Sequence, residues 1–482
     1  MQTSEVMRLR ADKGLTGQSG AEYPHTAMNT DTETDQPASA APLSTAVILA
    51  AGRGTRMKSE RPKVMHPLAG QPMLRYLIDN AAEVFDRIIV VAGPGMDDVA
   101  ALAAPHTVVV QHDRLGTGHA ARQAEAIFGT GDVAVLYGDN PLITPGTMRA
   151  LLAQRRSDDT GLALLAMEPA DPARYGRVVT RDGLVQRIVE WADATPAERA
   201  IGLCNAGVLC AAAADFRRWL AEIDNDNAQG EYYLGDVVAR AVAEGRSVRA
   251  VVAPEDELRG INSRAELAQA EACVQARLRL AAMAGGTTLV APDTVFLCAD
   301  TVFEPDTVVY PHVVFGPGVH VRRGTEIHAF SHIEGATVGP DAQIGPYARL
   351  RPGTDVGQGA RVGNFVELKA TTLGAGAKAN HLTYLGNTTV GAKANIGAGT
   401  ITCNYDGVFK HRTEIGAESF IGSDSVLVAP VRLGKGVITA AGSVITHDVP
   451  DDALAIGRAR QANKAGYARA FRQRLKNRKE QG

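Results

Sequence analysis

The chain has 482 residues, 45% apolar and 21% charged, with 50 Lys or Arg against 53 Asp or Glu. A formal charge of −3 argues against a general nucleic-acid binder, which would be basic, and no run of 18 apolar residues offers a membrane span. Aromatic residues make up only 5% while glycines number 50, which excludes a plain helical protein and points to many tight turns or a repeat. At roughly 150 residues per domain, the length accommodates about three units. The five cysteines, Cys204, Cys210, Cys273, Cys298 and Cys403, have neither metal-ligand nor disulfide-framework spacing. They read as reduced thiols, and the expected location is cytoplasmic.

Residues 1–42 are polar, rich in Thr, Ser, Asp, Glu and Pro, and lack the apolar region of a secretory signal. They read as a disordered leader. Ala46-Val47-Ile48-Leu49 then forms a buried strand running into a Gly-x-Gly loop. Met73, Leu74, Leu77, Ile78, Ala81 and Val84 have helical spacing within Pro72–Phe85. Arg87–Val91 and Val133–Tyr137 are two further strands. This alternation predicts a Rossmann-like α/β domain over 43–262 with a mainly parallel sheet and its site at the carboxyl ends of the strands. Ser263 and Glu266 predict a capping box opening a linking helix over 263–285, with Leu267, Val274, Leu278 and Ala281 as its apolar stripe.

From 286 to 457 the texture is a hexapeptide repeat. Phe315, Val321, Ile327 and Ile333 recur every six residues, as do Val338 through Leu368 and Ile415 through Ile445, often with Gly next in sequence. One inward aliphatic per six residues is the mark of a parallel β-helix, here expected to be left-handed, with each unit forming one side of a triangular coil. The period slips between Leu368 and Val390 and again between Thr402 and Ile415, and at both slips a loop is expected to leave the coil. Residues 458–482 form a basic tail with nine Lys or Arg and one Glu.

The first chemistry lies in Leu49-Ala50-Ala51-Gly52-Arg53-Gly54-Thr55-Arg56-Met57 and the following Pro62-Lys63. Glycines let backbone N–H groups approach phosphates, and two cations at fixed spacing suit a triphosphate losing pyrophosphate. These residues resemble the signature of sugar-1-phosphate nucleotidyltransferases. Leu115-Gly116-Thr117-Gly118-His119-Ala120, Tyr137-Gly138-Asp139 and Asn227 to Tyr233 narrow the resemblance. With the hexapeptide region behind them, residues 45 to 465 resemble a family of fused enzymes. One half of these is an N-acetylglucosamine-1-phosphate uridylyltransferase, the other a glucosamine-1-phosphate N-acetyltransferase.

The resemblance implies a nucleotide pocket of Leu49, Ala50, Ala51, Gly52, Gln111, Gly116 and Thr117, with Gln111 on the uracil edge. It implies that Arg56 and Lys63 hold phosphates and that Asp139 and Asn262 bind Mg²⁺, whose preference is for hard oxygen ligands. Gly176, Glu190 and Asn205 would hold the sugar, with Tyr137 and Gly138 lining the cleft. One departure is Ala206, where the family more often has Thr; it is expected to alter the sugar pocket slightly.

The second chemistry centres on His381, whose imidazole suits a general base at working pH. Arg351 and Lys369 offer cations for a sugar phosphate; Tyr384 and Asn395 offer hydrogen bonds. The resemblance implies that His381 takes the proton from the substrate amine. It places acetyl-CoA on Ala398, Asn404, Tyr405, Ser423, Ala441 and Arg458. It implies a homotrimer and small-molecule substrates: glucosamine-1-phosphate, N-acetylglucosamine-1-phosphate, UTP and acetyl-CoA. The alternative is a single-activity nucleotidyltransferase with a structural or regulatory β-helix, which would have no need of His381, Tyr384 or Asn404-Tyr405.

Overall fold

The structure is a computed structural model that describes residues 43–157 and 159–481; the expected leader lies outside the described residues. The run predicted as the first strand is β1 (Ser44–Leu49), with Ala46, Val47 and Ile48 fully buried. It lies at the centre of a nine-stranded sheet. The other strands in chain order are β2 (Arg87–Ala92), β3 (Thr107–Val110), β4 (Asp132–Tyr137) and β5 (Leu162–Met167). They continue with β6 (Arg177–Arg181), β7 (Leu184–Val189), β8 (Cys204–Ala212) and β9 (Val248–Val252). The path across the sheet is β9-β5-β8-β4-β1-β2-β3, and the β6–β7 hairpin is attached to β8. Pairing is parallel except for β8, which opposes both β4 and β5, and for that hairpin.

Both faces of this sheet are covered, so its central strands are apolar on successive residues instead of alternating. One layer packs Leu74, Leu77 and Ile78 of helix α1 (Met73–Ala82) against Ile48, Val90 and Leu136. The opposite layer packs Phe216, Trp219 and Leu220 against Val47, Ile89 and Val135. Because β1 and β4 are in parallel register through Leu49 and Tyr137, their exit loops emerge side by side at one edge. Helix α2 (Thr117–Arg122) starts at the same edge.

Helix α3 (Arg264–Ala284) is the linking helix. Ser263 accepts from the Glu266 N–H as a cap should. The expected reciprocal bond is redirected: Glu266 Oε2 accepts from the Asn262 N–H and the Ser263 hydroxyl, each at 2.8 Å. The buried face of α3 is Ala270, Val274 and Gln275, flanked by Leu267 and Leu278, whereas Ala281 is exposed and is no part of the stripe. A short hairpin following Lys63 binds α3 and the next region together. Its Ala69 N–H donates to Glu271 Oε2 (2.7 Å) and its Ala69 carbonyl accepts from the Ala299 N–H (2.8 Å).

Beyond α3, short parallel strands stack into three sheets of ten, eight and eight strands, the three sides of a β-helix. Its core is a file of aliphatics, Ile327, Ile333, Val338, Ile344, Leu350, Val356 and onward, all fully buried. Glycines after these residues accommodate the neighbouring coil: a Cβ on Gly357 would lie 2.7 Å from the Ala375 nitrogen. Buried hydroxyls satisfy backbone carbonyls inside the prism, as when Thr371 donates to the Leu385 carbonyl at 2.9 Å.

The first expected loop does not exist. Between Leu368 and Val390 the coil runs on through Leu373, Ala379 and Leu385, all buried and inward. Two sides of five residues and an inward Ala disguise a continuous coil as a slip. The second slip is a loop: Asn404–Arg412 leaves the coil, with Tyr405 bridged to Lys410 and Val408 and Phe409 exposed. The basic tail carries a solvent-facing helix, α4 (Tyr467–Gln481).

Candidate active sites

The exits of β1 and β4 gather the first set of residues. Leu49 to Gly52, Gln111, Gly116 and Thr117 line one cavity of about 290 Å³ together with Lys63, Tyr137 and Asp139. Gly138 permits the close passage of the two exits, since a Cβ there would lie 2.8 Å from the Leu49 carbonyl. Val64, Arg114, Ala120 and Glu231 line the same cavity and had been given no role from sequence. Arg114 is adjacent to the Leu115-Gly116-Thr117 motif, and Glu231 lies inside another quoted motif, so their neighbours carried the only signal. Arg114 donates to the Ala51 carbonyl at 2.8 Å; its guanidinium pKa is lowered by burial and by nearby Arg53.

Beside this cavity two oxygen acceptors converge on one ammonium. Lys63 Nζ forms an ion pair with Asp139 and donates to Asn262 Oδ1 at 3.0 Å. Arg56 donates to the same Asn262 oxygen at 3.0 Å. Asn262 is brought there by its neighbour, as the Ile261 N–H donates to the Asp139 carbonyl at 2.9 Å. The redirected Glu266 bond then fixes the Asn262 backbone. Among the described residues there is no cluster of three or more Asp, Glu, His or Cys side chains suited to a metal. A cation here would therefore rely on Asp139 and Asn262, with a phosphate and water filling its shell.

Gly176, Glu190 and Asn205 are brought together beside this cavity without lining it. The Asn205 N–H donates to the Gly176 carbonyl at 2.8 Å, and the Gly207 N–H donates to Asn205 Oδ1 at 3.0 Å. A Cβ on Gly176 would lie 3.1 Å from Glu190 Oε1, so glycine admits that carboxylate. Gly207 has φ of +77°, and a Cβ there would overlap the Tyr137 ring. Burial raises the Glu190 pKa, with the Asp236 and Asp193 charges adding to it. Burial likewise raises the Tyr137 phenol. Ala206 points the other way: it is buried in the sheet core with Cys204, Val208 and Leu136. The expected effect of Ala206 on the sugar pocket has no direct contact to carry it, because alternate residues of β8 face opposite sides.

The second set lies along one corner of the β-helix. Asn364 pairs with His381 on the next coil, and the registers continue from His381 to Ala398, Ser423 and Ala441 on successive coils. Arg458 sits one coil further, near Gly442. At about 4.8 Å per coil, four steps from His381 to Arg458 span roughly 19 Å. The His381 ring is exposed, and its Nδ1 stands 2.8 Å from Asn364 Oδ1. An amide oxygen only accepts, so Nδ1 carries the proton and Nε2 keeps a free lone pair. Asn364 escaped sequence reasoning; its signal is its place one coil before His381.

Arg351 and Lys369 occupy equivalent places on adjacent coils. Arg351 is not a free cation, since it pairs with Glu367 at 2.8 Å. Tyr384 and Asn395 are half-buried on two different sides of the β-helix, Asn395 on the same side as His381. Asn404 is buried and donates to Asn387 Oδ1 at 2.7 Å, whereas Tyr405 is exposed under the Lys410 ammonium, 3.5 Å from the ring centroid.

A glycine-rich loop at the carboxyl edge of a mainly parallel sheet, followed by a hexapeptide coil bearing a histidine, is the arrangement of a nucleotidyltransferase joined to an acyltransferase-type domain. Family models agree on each part: residues 46–201 match the MobA-like NTP transferase domain, and residues 412–447 match the bacterial transferase hexapeptide of six repeats. The chain is 73% identical to the bifunctional protein GlmU of Gluconacetobacter diazotrophicus, covering 91% of this chain and 96% of that one. It is 62% identical to the bifunctional protein GlmU of Granulibacter bethesdensis (91% and 98% covered) and 61% identical to that of Acidiphilium cryptum (89% and 98% covered). The chain belongs to the bifunctional GlmU family. It is an enzyme of two activities, a uridylyltransferase and an acetyltransferase, and its β-helix is not merely structural.

Proposed function

We propose that the cavity at the exits of β1 and β4 is the uridylyltransferase site and that the His381 corner is the acetyltransferase site, the two separated by α3 with boundaries near 262, 285 and 457. The observation that carries the first assignment is the convergence of Lys63, Arg56, Asp139 and Asn262 beside that cavity. In this reading Leu49 to Gly52, Gln111, Gly116 and Thr117 hold UTP. Gly176, Glu190 and Asn205 hold the sugar, with Tyr137 and Gly138 lining the cleft. A phosphate oxygen of N-acetylglucosamine-1-phosphate attacks the α-phosphorus, and the bond to pyrophosphate breaks in line. Lys63 and Arg56 neutralise the charge that builds up, so positioning and electrostatics do most of the work. Asp139 and Asn262 would hold Mg²⁺, which supplies further neutralisation of phosphate charge.

At the second site, glucosamine-1-phosphate binds through Arg351, Lys369, Tyr384 and Asn395. His381 Nε2 takes a proton from the amine as the amine nitrogen attacks the thioester carbonyl; the C–S bond breaks, and the imidazolium returns the proton to the departing sulfur, so coenzyme A leaves as the thiol. Acetyl-CoA lies along the corner over Ala398, Ser423 and Ala441, with Asn404 and Tyr405 beside it and Arg458 on a phosphate. This site is open in a single chain, and a column of stacked exposed rings, His312, Phe330, Tyr347 and Phe365, runs up to it. Both features support a homotrimer in which another copy completes the site. The reduced thiols support a cytoplasmic location.

Assaying acetyl transfer on glucosamine-1-phosphate with acetyl-CoA, and separately uridylyl transfer on N-acetylglucosamine-1-phosphate with UTP, in Asp139→Ala and His381→Ala variants tests the assignment. Each variant should lose one step alone. Light scattering tests the trimer, which requires three times the 50.8 kDa chain mass.

A further inference from the structure

His119 belongs to a motif already quoted but has no role so far. It sits on α2, half-buried, and its ring links two glutamine amides. Gln111 Nε2 donates to the Gly116 carbonyl at 3.2 Å and stands 3.1 Å from His119 Nδ1. On the other side, Gln123 Nε2 donates to the His119 carbonyl at 3.1 Å and stands 3.3 Å from His119 Nε2. Carbonyl oxygens only accept, so both amides turn their nitrogen towards the imidazole. A neutral imidazole can accept at one nitrogen only. Two donors therefore compete for one lone pair, and the tautomer, acting with the Gly116 carbonyl, sets which end of Gln111 faces the nucleotide cavity.

We propose that His119 is the positioning residue for nucleobase choice: with its proton on Nε2, it accepts from Gln111 at Nδ1 and so turns Gln111 Oε1 towards the base. The proposal rests on the reading of Gln111 as the uracil contact. Gln111 is only 3% exposed, so its amide cannot trade this partner for bulk water. With Oε1 presented, the amide accepts from uracil N3–H. Cytosine has a bare lone pair at N3 and would meet oxygen against nitrogen with no proton between them. With the other tautomer, Nδ1–H opposes the amide N–H; turning the amide over presents NH₂, which suits cytosine and opposes uracil donor to donor, but sets Oε1 against the Gly116 carbonyl, so either arrangement weakens the uracil contact. A buried polar group left mispaired is what gives such a site its discrimination.

The test is steady-state uridylyl transfer with UTP and with CTP on the full chain, with circular dichroism and a thermal melt of the same preparation as the folding control. His119→Leu removes the acceptor. His119→Gln overlays its amide on Nε2 and leaves Nδ1 unreplaced, whereas His119→Asn places an acceptor where Nδ1 was. Leu and Gln should each raise KM for UTP and lower the UTP-over-CTP ratio of kcat/KM by roughly tenfold, with kcat changed less than about twofold. Asn should restore most of the ratio. If Gln111→Leu abolishes the preference while His119→Leu and His119→Gln both keep it, His119 has no positioning role. If Gln111→Leu keeps the preference, the assignment of Gln111 itself falls, and the inference with it. Should His119→Leu fail to fold, as a changed circular dichroism spectrum or a lost melting transition would reveal, the contrast between Gln and Asn decides alone.

Discussion

The two halves build their sites by opposite means. The α/β half encloses its cavity within one chain: strands from both sides of β1 end together, and loops distant in sequence close over them. The β-helix encloses nothing. It repeats one corner coil after coil and lays its groups in a row, with His381 exposed at the end of a stacked aromatic column. A site made by convergence can be complete in one subunit, while a site made by repetition is an open row of groups along one corner. The first should fail through local geometry, the second through the loss of single groups in the row.

The largest expected effect breaks the second site alone. His381→Ala should lower acetyl-transfer kcat by about a hundredfold to ten-thousandfold, leaving acetyl-CoA affinity, melting temperature and uridylyl transfer unchanged. Retention of more than about a third of the acetylation rate, far from what a missing base costs, would remove His381 from the chemistry. In the first half, Asp139→Ala should reduce uridylyl transfer on the order of a thousandfold, the scale of losing a preorganised electrostatic group. Acetyl transfer in the same sample should persist; a joint loss with intact circular dichroism would sink the two-site division.

Gly207→Ala sharpens the contrast, since it touches no substrate group. The new methyl must push the Tyr137 ring into the cleft at a backbone position of φ +77°. Uridylyl transfer should fall on the order of tenfold to a hundredfold with acetylation intact, and an unchanged rate would mean the ring is free to move. The smallest effect is on stability. Burial, with Asp224 next, raises the Asp236 pKa from 3.8 to about 6. A raised carboxyl favours the folded state below its unfolded value and loses that contribution as pH rises through about 6. Asp236→Asn should therefore stabilise the chain at pH 7, by about 1 kcal/mol at most after allowing for solvent screening. Thermal melts at pH 7 and pH 4 check this: the gain should shrink at the lower pH, and a gain independent of pH would reject titration as its cause.

Much of this was legible in the residues. Six-residue spacing of aliphatics identifies the coil because each side of the prism buries one side chain, and the glycine loop with Lys63 marks a phosphate site because few other arrangements need both. Where the spacing rule failed, it failed for a physical reason. Ala379 can face inward as well as an aliphatic when its neighbours fill the prism, so the apparent gap before Val390 hid an unbroken coil. Ala206 looked like a pocket residue because of its position in a motif, yet strand alternation turns it into the core.

By itself, then, the sequence determined the class of each half and singled out the glycine loop and the histidine as candidates, because periodicity and local chemistry are properties of neighbouring residues. Only the tertiary structure decided that Asn262 shares Lys63 with Asp139, that Asn364 orients the His381 ring, and that His119 stands between Gln111 and Gln123. The Asn262 and Asn364 contacts depend on chain crossing or coil stacking that brings distant residues within hydrogen-bond reach. The glutamine pair, though close in sequence, meets the ring only because a loop folds back onto the first turn of α2.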